Sequence, residues 1–310
     1  MKVSILCTAF NHEKYIRSAL EGFVSQKTDF DYEVIIHDDA STDGTAEIIR
    51  EYAEKYPDLI KPIYQTENQL SQWVDIYVSY LVPAASGTYL AICEGDDYWT
   101  DSHKLQLQVD FLDQNPGYSA CVHNSKKLEM MTGKETVMYG TEDYDIHVPD
   151  VLIGGSCCYQ TASLVCRREA FDHFPPFLPI FFDYPFSIHL SILGPIRFMG
   201  RIMSVYRVGT ENSWTAKNRK DMRKNAYFHE YVSKMLAQVN EYTDFAYSEQ
   251  IKELIRHNTY KSLYFSEKYD EMRAPEYREL YRQESLANRF KMRLKQHLAP
   301  LYHVYRKLKY

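Results

Sequence analysis

Three apolar runs in the first hundred residues each stop at a polar cluster, and between them the apolar spacing turns helical. KVSILC (2–7) ends at Thr8, Ala9, Phe10 and Asn11, and YEVIIH (32–37) ends at Asp38, Asp39, Ala40 and Ser41. TYLAIC (88–93) ends at Glu94, Gly95, Asp96 and Asp97. Continuous apolar runs of this length mark strands buried on both faces of a parallel sheet. After the first run, Tyr15, Ala19, Leu20, Phe23 and Val24 recur at helical spacing. After the second, Ala46, Ile49, Ala53 and Tyr56 do the same, with Asp43 placed as an N-cap. Alternating strands and helices mean an α/β fold, a mostly parallel sheet flanked by helices.

The pattern continues with a strand over 60–64, a helix over 69–85 and a helix over 100–114 that stops at Asn115-Pro116-Gly117. A strand follows over 118–123, then a hairpin turning at Thr132-Gly133. Residues 151–208 mix short strands with helices near 167–173 and 183–193. From about residue 215 the chain is charged, Tyr-rich and helical in period. The expected organisation is an α/β domain over 1–214 and a helical C-terminal extension over 215–310.

A net charge of −6 gives no global reason to expect nucleic acid as a partner. The six cysteines form no CxxC pair and sit mostly in apolar runs, which reads as reduced thiols in a cytosolic protein. No stretch is apolar for long enough to cross a membrane, and the N-terminus lacks the cleavage site of a secretory signal.

Ligands of open α/β sheets bind outside the carboxyl ends of the strands. The three polar clusters therefore share one rim carrying Asp38, Asp39, Glu94, Asp96 and Asp97. Carboxylates so close repel one another unless a cation, a proton or water intervenes. One or two carboxylates plus substrate phosphates is the usual way to hold Mg²⁺ or Mn²⁺. Solvation of a loop is the bland reading of Asp96-Asp97 alone; three clusters on one rim favour the metal. No G-x-G-x-x-G follows the first run, and no P-loop, G-x-S-x-G or H-E-x-x-H occurs.

VSILCTAFNHEKYIRSALEGFVSQ, YEVIIHDDASTDGTAEII and GTYLAICEGDDYWTDSHKLQLQVDFL resemble the inverting GT-A glycosyltransferases of family 2. The resemblance is strong over residues 1–125 and weaker to about 215. It implies transfer of a sugar from a nucleotide diphosphate, UDP favoured, to an acceptor hydroxyl, with Mn²⁺ or Mg²⁺ as cofactor. It places Thr8, Ala9 and Phe10 on the nucleotide and Asp39 on the base. The family's D-x-D stands here as Glu94-Gly95-Asp96, with Glu94 facing the ribose, Asp96 on the metal and Asp97 close behind. Cys7 replaces the usual proline before the threonine, and Val208-Gly209 stands where a histidine often follows the VYR motif.

The resemblance also points to Asp183 as catalytic base, at the start of a helix and among Phe181, Phe182, Tyr184 and Phe186. Apolar surroundings raise a carboxyl's pKa, which suits a base; helix N-capping is the structural alternative. Arg207 is suited both to a diphosphate and to a structural ion pair. Residues 285–310 carry seven Lys/Arg and no acid, interleaved with apolar side chains. Such a segment suits an anionic membrane surface, or docking on the acidic domain. The expected setting is surface or capsular polysaccharide synthesis at the inner face of a bacterial membrane, with a saccharide or lipid-linked acceptor. Alternatives are a catalytically silent nucleotide-sugar-binding member of the same fold and a nucleotidyltransferase, against which the absence of a Gly-rich loop after the first strand counts.

Overall fold

A computed structural model describes residues 1–178, 183–210 and 221–297. Phe181 and Phe182, the domain boundary, and the tail beyond residue 297 lie outside the described residues. The chain divides into two compact units, Met1–Ser213 and Trp214–Tyr310.

In the first unit, strands β1 (Val3–Ala9), β2 (Tyr32–Asp38), β3 (Ile60–Tyr64) and β4 (Tyr89–Ile92) form a parallel half-sheet in the order β3-β2-β1-β4. Helices α1 (Ile16–Val24) and α2 (Thr45–Lys55) connect the first three strands. Ile16, Ala19, Leu20 and Phe23 of α1 are buried against Val3, Ile5 and Cys7, so the helical spacing in the sequence is the stripe that covers the sheet.

The other half is mixed. β5 (Tyr98–Trp99) and helix α4 (Lys104–Gln114) follow β4, then β6 (Ala120–Glu129), β7 (Lys134–Val137) and β8 (Tyr144–Ile146). Helix α5 (Val148–Gly154), β9 (Val165–Arg167), α6 (Asp183–Leu193) and β10 (Ile196–Val208) complete it. β9 is inserted antiparallel between β4 and β6, whereas β6 and β10 pair in parallel. β5 pairs antiparallel with the end of β10, Trp99 opposite Ser204, which brings the acidic turn before β5 beside Arg207.

Three expected helices differ. The helix over 69–85 is broken into a turn at Leu70–Gln72, a left-handed Trp73 at φ +62°, a wide turn at Tyr77–Leu81 and a short α3 (Val82–Ala84). Asp39 takes the amides of Gln69 and Leu70 at 2.7 and 3.1 Å, which fixes a turn where the apolar spacing suggests a continuous helix. The helix over 100–114 starts late because the Thr100 amide bonds to the Met203 carbonyl at 2.9 Å, and the Asp101 carboxylate accepts the His103 amide at 2.9 Å. At 167–173 the chain stays extended through Arg167, pairing with Tyr89, and then makes only a tight turn at Arg168–Phe171.

All six cysteines are free, and four of them are buried. In the second unit α7 (Met222–Tyr242) and α8 (Ser248–Phe265) pack together, followed by α9 (Arg278–Gln283) and α10 (Leu286–His297). A small core of Tyr260, Leu263, Tyr269, Met272, Leu280 and Met292 holds α8 to α10. Among the described residues, no helix is long and apolar enough to cross a membrane.

Candidate active site

The three polar clusters are hydrogen-bonded to one another at the end of β1. The Thr8 carbonyl accepts the Gly95 amide at 2.9 Å and the Ala9 carbonyl accepts the Asp39 amide at 2.9 Å. The Asn11 amide donates to Ser41 Oγ at 2.9 Å, and Asn11 Oδ1 accepts the Thr42 amide at 2.7 Å. Asn11 and Ala40 both adopt positive φ, +54° and +61°. Non-glycine residues held there are strained, and such strain clusters at functional sites. Space around Gly95 is tight: a Cβ would lie 2.7 Å from Ile16 Cδ1 and 2.9 Å from His12 Nδ1, so both side chains would have to shift.

The acids of the rim fall into different roles. Asp97 is only 2% exposed, and both its oxygens accept protein donors: Oδ1 the Arg207 amide at 2.8 Å, Oδ2 Gln160 Nε2 at 2.9 Å. Burial, then Asp96 and Glu94, raise its carboxyl well above the usual range. Asp96 is half-buried; among the described residues only Thr210 Oγ1 donates to its carboxylate, at 3.1 Å. Gly209, at φ +83°, turns the chain so that Thr210 reaches it. Glu94 has a buried Oε2 without a hydrogen-bond partner, and burial, Asp183 and Asp96 push its carboxyl up to about 8.

Asp183 opens α6, as the sequence suggests. It keeps an open side to solvent, yet desolvation by the protein crowded around it raises its carboxyl, against a weak donation from Thr161 Oγ1 at 3.4 Å. Its charge acts on Glu94, Tyr77 and Tyr206, so residues almost ninety positions apart in sequence share one field. Tyr77 hydrogen-bonds Thr8, at the end of β1, through their side chains.

Two of the expected binding residues face inward. Asp39 is 2% exposed and anchors the 69–70 turn with both oxygens. The Arg207 guanidinium donates to the Asp96 carbonyl at 2.7 Å and to Ser18 Oγ at 3.1 Å. It also lies over the rings of Tyr98 and Tyr15, at 4.3 and 5.4 Å. This geometry braces the acidic loop while leaving Arg207 half-buried. Ala9 is buried and Phe10 half-buried on the rim. His12, Tyr77, Gln160, Thr161 and Thr210 also join the site, with no individual role legible for them in the sequence. They are ordinary residues there, and only long-range pairing brings them to the rim.

Among the described residues, no group of three or more His, Cys, Asp or Glu side chains is arranged to hold a metal by itself. The donor set fits a hard cation that takes most of its oxygens from elsewhere, since Asp96 is a partly exposed carboxylate at the rim.

The sheet, with an acidic turn at the carboxyl end of its strands, places the chain in the α/β class whose ligands bind at that rim. The Glycosyl transferase family 2 profile matches residues 4–173, and the chain belongs to that family. It is 38% identical over 217 residues to an uncharacterized protein of Mycobacterium tuberculosis strain H37Rv, covering 68% of this chain and 60% of the relative. The chain thus spans less than two thirds of that relative's length. It is 29% identical over 150 residues to the putative teichuronic acid biosynthesis glycosyltransferase TuaG of Bacillus subtilis, covering 48% of this chain and 54% of TuaG. Among solved structures, S. aureus TarS 1–349 in complex with UDP-GlcNAc matches with a TM-score of 0.62 at 17% identity, over 94% of this chain and 78% of TarS. At that identity the match shows the fold, which is GT-A.

Proposed function

We propose that this chain is an inverting glycosyltransferase that works with Mn²⁺ or Mg²⁺. It would move a sugar from a nucleotide diphosphate, UDP favoured, to an acceptor hydroxyl in surface polysaccharide synthesis. The observation that carries this reading is the convergence of Asp96, Glu94 and Asp183 on one rim, where the charges of Asp183 and Asp96 both act on the buried Glu94. UDP-GlcNAc bound to TarS supports the donor class, and TuaG's teichuronic acid name supports the polysaccharide setting.

Thr8, Ala9 and Phe10 line the nucleotide side, with Asp39 shaping its wall; each Asp39 oxygen keeps a lone pair for an imino N–H of the base. Glu94, with its unpartnered Oε2, faces the ribose. Asp96 would hold the cation, with the donor's phosphates filling further positions; Asp97 supports it from behind. Once bound, the cation supplies neutralisation of the charge that develops on the diphosphate. Asp183 takes the proton of the acceptor hydroxyl, whose oxygen attacks the anomeric carbon from the face opposite the diphosphate. The glycosidic C–O bond breaks, its electron pair leaves with the diphosphate, and the anomeric configuration inverts.

The second unit supports a peripheral position on an anionic membrane surface. Leu286 and Phe290, one turn apart on the basic α10, are 77% and 60% exposed.

Hydrolysis of an α-linked UDP-sugar tests the reaction without knowledge of the acceptor. Early release of the β-anomer, seen by proton NMR and lost in Asp183→Asn, is the expected result. Early release of the α-anomer would refute inversion. Absence of turnover across UDP-, GDP- and dTDP-sugars would favour the silent nucleotide-sugar-binding alternative.

A further inference from the structure

Behind the rim, a chain of hydrogen bonds runs from the buried acid of the acidic turn to the carboxylate at the start of α6. Gln160 Nε2 donates to Asp97 Oδ2 at 2.9 Å. The other end of the same amide, Oε1, accepts the backbone N–H of Thr161. Thr161 Oγ1 then donates to Asp183 Oδ1 at 3.4 Å.

The segment that carries these two residues is itself fixed. The Gln160 carbonyl accepts both the amide and the hydroxyl of Ser163, at 2.8 and 2.6 Å. The carbonyl of Ala162 accepts Trp99 Nε1 at 2.8 Å, which ties the segment to the strand that follows the acidic turn. A second arm comes from the neighbouring residue: Tyr159 OH bonds Ser187 Oγ at 2.8 Å, and Ser187 Oγ donates to the Asp183 carbonyl at 2.7 Å. Residues 159–161 therefore reach Asp183 at its carboxylate, through the long Thr161 bond, and at its main chain, through Ser187.

We propose that Gln160 and Thr161 are positioning residues that tie the orientation of the Asp183 carboxylate to Asp97 and the acidic turn. The proposal rests on Asp183 as the base. With Oδ1 already bonded to the Arg207 amide, satisfying the buried Asp97 would need only a donor to Oδ2. Gln160 does more, because its amide donates at one end and accepts at the other. A glutamate there would face Asp97 with a second negative charge, and an asparagine would be one methylene short. The consequence is that the base and the donor-side acids move as one unit. An error of about 1 Å between reacting groups can cost about a hundredfold in rate.

The groups facing Asp183 bear on any titration of it. Glu94 lies across the rim, Tyr77 comes from the loop before α3, Tyr206 from β10, and Tyr159 from the 159–161 segment itself. Cys158 shares the small cavity that Asp183 and Thr161 line. Thr161 is the side chain that favours the charged form of Asp183 by hydrogen bonding.

The test is a carbon-13 carboxyl titration of the full chain labelled at aspartate, with the Asp183 signal identified by its loss in Asp183→Asn. Thr161→Val is expected to raise the Asp183 midpoint by about half a pH unit, and Thr161→Ser to restore it. Gln160→Leu, if folded, should raise it in the same direction because the Thr161 amide loses its acceptor. An unchanged midpoint in Thr161→Val overturns the proposal. An unchanged midpoint in folded Gln160→Leu overturns the link to Asp97. If Asp183→Asn still turns over donor, the base assignment fails, whatever the titration shows.

Discussion

The backbone amide of Arg207 donates to Asp97 Oδ1 at 2.8 Å, while the Arg207 guanidinium reaches past it to the Asp96 carbonyl at 2.7 Å. The end of β10 thus clamps the acidic turn through two bonds of different kinds. The guanidinium also lies over the rings of Tyr98 and Tyr15. Lysine offers neither the fork nor the planar face. Arg207→Lys is therefore expected to keep the charge but lower the melting temperature by roughly 2–4 °C for each kcal/mol lost. It should also weaken nucleotide binding. A melting temperature equal to wild type would show that the brace is not needed.

Glu94 gives a pH signature. Its carboxyl is raised to about 8 in the folded protein, chiefly by burial. The folded state therefore keeps a proton that the unfolded chain releases near pH 4.5, and stability falls as pH rises from there to about 8. Glu94→Gln removes that slope. Its melting temperature should match wild type near pH 4.5 and exceed it increasingly up to about pH 8. A constant difference across this window would contradict the buried, proton-retaining Glu94.

Lys104 gives the opposite sign. It is fully buried, its Nζ has no hydrogen-bond partner, and it lies 4.0 Å from the Trp99 ring centroid. Burial lowers its pKa to about 7, so between there and 10.5 the unfolded chain holds the extra proton and stability rises with pH. Below about 7 the folded protein carries the full cost of a buried ammonium. Lys104→Met should stabilise most at pH 6 to 7, by roughly 2–4 °C per kcal/mol regained, and least near pH 10. Melting curves at both ends of that range decide it.

Gly95→Ala places a methyl against Ile16 and His12 at 2.7 and 2.9 Å. Overpacking of this kind costs about 1–3 kcal/mol, and here it displaces Glu94 and Asp96 as well. Loss of nucleotide affinity together with a lower melting temperature is the expected pair of results. Unchanged affinity would mean that the turn tolerates the shift.

The α10 surface makes its own prediction. Sedimentation with phosphatidylglycerol vesicles should pull down the full chain, less so at high salt. Leu286→Ser combined with Phe290→Ser should reduce it without changing nucleotide binding. Equal sedimentation of the variant would remove α10 from the membrane reading.

The rim was legible because each part of it is local. A strand end, its polar cluster and the following helix lie within a few dozen residues, and the periods of β1, β2 and β4 announce them. Asp183 was legible as an acid opening a helix. The wiring was not legible. That Asp97 spends both oxygens on Arg207 and Gln160 depends on the pairing of β5 with β10 and on a segment more than sixty positions away. Asp39 shows the same limit: its hold on Gln69 and Leu70 overrides a helical apolar pattern. Thr210 reaches Asp96 only because Gly209 turns left-handed.

The central claim is that Asp96 anchors a metal-dependent nucleotide-sugar site. Calorimetric titration of UDP, GDP and dTDP into wild type and Asp96→Asn, with Mn²⁺ and again with EDTA, tests it most directly. The account predicts tight binding of UDP in wild type with Mn²⁺, lost on chelation and lost in Asp96→Asn. Binding indifferent to both metal and substitution, or no nucleotide binding at all, would contradict it.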